Sequence, residues 1–334
     1  MTISTKAHAH IPGFNDHTQA EKRINDEIAR NRAIKFEPTI SANDFVDAAL
    51  AGADFPEEPH FHNEKIRAAR LNAGARAQML KDALKSVQER KRDLIRDNSA
   101  SALGYLRGEL AALMDEVRST HGTLGNVRTA EAVLAANDPD IASAWRASGE
   151  LVSRYVEMRS LQHAFTAPGL GDGQKFQIAA VGHIRNSLEL SDYWLSKRAK
   201  SSSHRAANDP LSGVRNFDEW LVSGGTAPFK HSIAAIPSTD SNGNPVNAWE
   251  YLVWLATEAE PWVPSVADLV AAFDAANLAV AATDYASFRT QEAGRDKYFE
   301  VVGVPPLVEY SNGPSDEKTE RKARRASGAR AMGL

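Results

Sequence analysis

The sequence predicts a mainly α-helical protein. It comprises a long antiparallel helical hairpin with eleven-residue periodicity, a smaller aromatic-rich helical C-terminal domain, an extended N-terminal arm and a disordered basic tail. Three observations lead there. No proline occurs between Asn63 and Thr120, a stretch dominated by Ala, Leu, Lys, Arg and Glu, all strong helix formers. Asp138-Pro139 is a helix start, with Asp as N-cap and Pro in the first turn. Five of the six tryptophans lie after residue 190, which marks a change of composition toward a compact core. The boundaries read as 1–62 for the arm, 63–167 for the hairpin, 168–314 for the C-terminal domain and 315–334 for the tail.

Residues 1–62 carry a short polar helix between Thr18 and Arg32 and a brief amphipathic one over 40–52, capped by Ser41 or Asn43. Pro56 and Pro59 interrupt the next segment. The arm is expected to fold only against something else.

Within 63–120, Leu84, Ile95, Leu106 and Val117 recur every eleven residues. Leu80, Lys91, Ala102 and Leu113 form a second row. Eleven residues in three turns is about 3.67 per turn, the signature of a nearly straight helix. Either one helix about 85 Å long or two collinear ones with a weak point at Asn98–Ser101 satisfies the pattern. Such a rod needs a partner for its apolar stripe. The segment 126–165 supplies one, with Ile141, Trp145, Ser148, Val152 and Tyr155 at alternating four- and three-residue spacing. Gly104 and Gly108, one turn apart, would permit close helix approach and join the row as a packing interface.

The glycine-rich APGLGDGQK (167–175) tests as a phosphate loop and fails. It follows a helix rather than a strand, and Lys175 stands between Gln174 and Phe176 instead of Gly and Ser/Thr. It reads as a helix stop and a joint. Beyond it, 175–200 reads as one helix with Ile184, Leu188 and Leu195 inward, and 200–215 as a polar loop. Short helices follow at 217–223, 247–258 (capped by Asn247) and 265–290 (Ser265 with Asp268), and YFEVVGV (298–304) as a strand.

Chemistry-bearing patterns are sparse. The chain has no cysteine, which excludes disulfides, thiolate metal sites and cysteine nucleophiles. His8/His10 and His60/His62 read as solvated loop histidines rather than metal ligands. Asp115-Glu116 reads as a solvated helix face, and Trp249 with its neighbours as core packing rather than a stacking platform. No cofactor motif occurs. The tail bases Lys318, Arg321, Lys322, Arg324, Arg325 and Arg330 could contact an anion or nucleic acid. The net charge of −4 argues against a molecule built wholly to coat nucleic acid or anionic membrane. With no signal peptide or membrane-spanning run, a cytoplasmic protein is expected.

Elimination then favours a non-enzymatic structural or assembly protein that associates with itself or other proteins through its hairpin, such as a component of a phage virion or similar particle. One alternative is an enzyme whose pocket gathers His183, His231, Asp240 and Glu250, with the hairpin as dimerisation arm. Another is a nucleic-acid-binding protein that uses the tail.

Overall fold

A computed structural model describes residues 2–170, 176–208, 220, 227–281 and 287–307. It is mainly helical. The tail bases, residues 171–175 of the glycine-rich joint and 217–223 apart from Trp220 lie outside the described residues. The chain divides into two compact units, His8–Asn98 and Met1–Ala7 with the chain from Ser99 onward.

The first unit pairs helix α2 (Phe14–Arg32) with the first half of α4 (Pro59–Leu124). The pairing is antiparallel. Lys91 Nζ and Gln88 Nε2 each donate to the Glu21 carboxylate at 3.0 Å, Arg76 Nη2 donates to Glu27 at 2.8 Å, and Asn31 Nδ2 donates to the Ala73 carbonyl at 3.0 Å. The Lys91 side chain also lies over the Phe14 ring. This explains the one lysine in the eleven-residue row: it is half-buried, and a carboxylate and a ring meet its charge. Helix α3 (Ala42–Ala51) starts at Ser41, one of the two caps the sequence offers, in a capping box with Asp44, and ends at left-handed Gly52. Asn63 clamps Ile40 from both sides, accepting from its N–H at 2.7 Å and donating to its carbonyl at 2.8 Å. The arm thus folds on its own chain, and α2 starts four residues earlier than expected.

Helix α4 is continuous, and the boundary between the compact units falls at Asn98/Ser99, inside it. Of the two arrangements the pattern allows, the single helix is the one present, with no break at 98–101. Asn98 Nδ2 bonds back to the Leu94 carbonyl there, a local competition with the helical ladder.

Residues up to Ala7 of α1 (Ile3–Ala9) belong to the second unit, where the Ser4 N–H donates to Glu157 at 3.0 Å. The end of α4 pairs with α6 (Pro139–Thr166) as an antiparallel hairpin, after α5 (Ala130–Ala136). Leu103, Leu106, Leu110, Leu113 and Val117 of α4 and Leu151, Tyr155 and Met158 of α6 are buried. Arg154 grips Glu116 through both its Nη atoms, at 2.6 and 3.0 Å. Asp138 caps α6 through the Asp140 N–H at 2.8 Å, as its Asp-Pro signal requires.

The C-terminal region adds α7 (Phe176–Val181), α8 (Ser187–Leu190), α9 (Asp192–Asn208), α10 (Ala248–Thr257), α11 (Val266–Ala279) and α12 (Ser287–Val302). Trp194, Trp220, Leu269, Phe273, Tyr298 and their neighbours form its core. Four expectations change. The segment 175–200 is broken, because 183–185 pairs with 260–262: Arg185 N–H donates to the Glu260 carbonyl at 2.7 Å and Trp262 N–H to that of His183 at 3.2 Å. Residues 201–208, expected in a loop, continue α9. Residues 298–302, expected as a strand, close α12. Gln291, Arg295, Tyr298, Phe299 and Val302 are buried at steps of four, three, one and three, the helical period. The β-branched valines had suggested the wrong one. The helix expected over 265–290 starts as capped but ends at Ala279.

Candidate functional site

Among the described residues, the first unit leaves seven large hydrophobic side chains exposed. Ile34, Val46, Leu50, Phe55, Phe61, Leu71 and Met79 are large hydrophobics left in water, with Leu50 83% exposed and Met79 73%. Helix α3 buries no residue at all. On α4, Phe61, Ala68, Leu71, Ala75 and Met79 fall within about an 80° arc at 100° per residue, and all five are exposed. A stripe this narrow is closer to a helix–helix seam than to a broad core-facing surface. Glu64 also falls inside this arc, and the sequence around the stripe is segregated in charge. Residues 36–64 hold Glu37, Asp44, Asp47, Asp54, Glu57, Glu58 and Glu64 with no Lys or Arg, and Lys65, Arg67, Arg70 and Arg76 follow directly.

The hairpin residues singled out from sequence sit differently. Leu106 and Val117 are fully buried within the second unit, and Leu84 and Ile95 are half-buried in the first. Gly104 and Gly108 are exposed, with open space where a Cβ would stand. Of the paired histidines only His10 lies in a turn, exposed between α1 and α2. His8 lies in α1 and stacks on Phe14 at 4.0 Å between ring centroids. His60 and His62 lie in the first turn of α4, where two-residue spacing turns the rings apart. His62 Nε2 donates to the Pro38 carbonyl at 3.1 Å. Among the described residues no three His, Asp or Glu gather as a metal site, and no helix is long and apolar enough to cross a membrane. Asp115 and Glu116 are paired with Arg118 and Arg154 on a solvated face.

The second unit has a buried polar hub. Arg159, 1% exposed, donates to the Gln162 side chain at 2.6 Å and to the carbonyls of Trp262 and His183 at 2.7 and 2.9 Å. Gln162 Nε2 donates to the Gly182 carbonyl at 2.8 Å. His163 and His183 bring their Nε2 atoms to 3.3 Å, so one ring donates and the other accepts. Burial, then the Arg159 charge, holds both below the ordinary histidine value, His183 well below it. Both rings are therefore neutral near pH 7. His183 also lines a small cavity, about 50 Å³, with His231 and Tyr251. That space suits one or two waters.

Of the four residues expected to converge, His183 and His231 share this cavity. Asp240 instead accepts the N–H groups of Asn242 and Asn244 in its own turn, and Glu250 is exposed on α10. A second polar knot holds Glu189, which accepts from Trp220 Nε1 at 3.2 Å and Leu307 N–H at 2.8 Å. Arg198 and Arg295 stack on the Trp220 indole at 4.8 and 5.0 Å.

Sequence reasoning missed Arg159 because an arginine in a helix ordinarily reads as a solvated charge. A signal did exist. Tyr155, Arg159, Gln162 and Thr166 run at four, three and four, a polar row on the face that should be apolar. No protein-family model, curated protein or solved structure matches this chain.

Proposed function

We propose that this chain is an assembly protein that associates with a second copy of itself through the N-terminal helical unit, rather than through the hairpin row. The observation that supports it is the exposed stripe on α4, Phe61, Leu71 and Met79, beside an α3 that buries nothing. Contiguous exposed apolar surface of this kind marks interaction sites. Leu106 and Val117 already serve their own core, which leaves them unavailable to a partner. The second copy is favoured by charge. The acidic run 37–64 adjoins the basic run 65–76, so an antiparallel two-fold pairing sets one copy's carboxylates against the other's guanidiniums. A two-fold contact uses the same patch on both subunits, and this patch is self-complementary.

Light scattering in line with size exclusion tests this. The wild type should run as a discrete oligomer, and Phe61→Ser/Leu71→Ser/Met79→Ser as a monomer with unchanged helicity. A wild type that stays monomeric at every concentration sinks the reading. So does an oligomer that survives the triple substitution.

A further inference from the structure

The second unit holds a cleft of about 330 Å³ between α6 and the start of α10, within the range of small-molecule sites. The indoles of Trp145 and Trp249, with Val152, form apolar walls. Gly149 forms part of the floor. It is exposed, and a Cβ placed there meets nothing within 4 Å. A glycine in a helix interior costs about 1 kcal/mol relative to Ala, and here its effect is to leave the cleft unfilled.

Among the polar groups of the lining, the Ser148 hydroxyl is spent on the Trp145 carbonyl at 2.8 Å and the Asn247 side-chain oxygen on the first N–H groups of α10. Arg128 lies at the edge, its Nη1 anchored by the carbonyls of Gly125 and Val127 at 2.6 and 3.0 Å. That anchoring fixes the guanidinium and leaves its other nitrogens for a ligand. The N-terminus of α10, capped by Asn247, adds the positive end of a ten-residue helix. Trp249 is 8% exposed, and its buried Nε1 finds no acceptor among the described residues. Among the described residues no carboxylate lines the cleft.

We infer that this cleft binds a small aromatic carboxylate. Its ring lies between the indoles, where stacking is favourable, and its anion faces Arg128, which suits a carboxylate's two oxygens. This goes beyond the assembly reading and does not depend on it.

The test is calorimetric titration of the full chain with indole-3-acetate and its neutral counterpart indole-3-ethanol. The acid should bind at least about tenfold more tightly, the scale of one charge-assisted contact. Gly149→Leu should abolish binding of both by filling the floor, with thermal stability retained because the helix gains a better former. Trp145→Ala should weaken both, and Arg128→Met should remove only the preference for the acid. Failure of the acid to bind at millimolar concentration would overturn the proposal. So would binding that both Gly149→Leu and Trp145→Ala leave intact, or equal binding of acid and alcohol.

Discussion

Arg159 Nη2 donates to the backbone carbonyl of His183 at 2.9 Å, joining the middle of α6 to the segment that follows α7. The same guanidinium holds the Trp262 carbonyl, so it fixes the two short segments that pair at 183–185 and 260–262. Arg159→Met should leave those carbonyls and the Gln162 side-chain oxygen buried without donors. The expected loss is about 3–5 kcal/mol, read from urea denaturation. A loss under about 1 kcal/mol would mean that water replaces the guanidinium.

His183 gives a pH dependence of definite sign. Burial first, then the charge of Arg159 and the neighbouring rings of His163 and His231, depresses its folded pKa well below 6.5. The unfolded chain therefore binds the proton more readily. The resulting stability is fully present above about pH 6.5 and falls as pH drops below it, by at most about 1.4 kcal/mol per pH unit per histidine. Urea midpoints between about pH 7.5 and pH 5.5 should fall in the wild type, and less steeply in His183→Gln. Parallel declines in both would refute the assignment.

Two helical glycines should answer oppositely to alanine. A Cβ on Gly294 would stand 2.6 Å from the Ala279 backbone nitrogen and 2.7 Å from Leu278 Cβ. Helix propensity favours Ala by about 1 kcal/mol, but overpacking against backbone costs about 1–3 kcal/mol, so Gly294→Ala should lower Tm. Gly149 meets nothing, and Gly149→Ala should raise it. The same direction of change at both sites would contradict the close approach of α12 to the end of α11.

Leucines of α4 should divide by burial. Leu106 is 0% exposed and Leu71 66%. Leu106→Ala should cost about 2–5 kcal/mol, whereas Leu71→Ala should change the stability of the monomer by under about 0.5 kcal/mol. Chemical denaturation at low protein concentration measures both. Similar costs at the two positions would show Leu71 to be covered within its own chain.

Much of the fold is legible where local chemistry decides it. Asp138-Pro139, Ser41 with Asp44, Asn247 and Ser265 start helices in the structure as their side chains require. Each cap satisfies backbone N–H groups within a few residues of itself, so no distant contact is needed. Elsewhere the local signals mislead. The segment 182–186 leaves its helical pattern because residues 260–262 offer it hydrogen bonds. Tyr298 and Val302 are helical because their faces meet the core.

The sequence by itself determined the helical class, the long helical stretch, the capped starts and the lack of any cysteine chemistry, but not that the long helix runs unbroken through 98–101. Periodicity and capping are properties of neighbours along the chain. Only the tertiary structure decided which apolar residues the chain covers, burying Leu106 and Val117 while leaving Phe61 and Met79 in water. It alone brought Arg159 to His183 and opened the Trp145–Trp249 cleft. Burial and cavity shape depend on elements remote in sequence, and no spacing along one helix encodes what the fold sets opposite it.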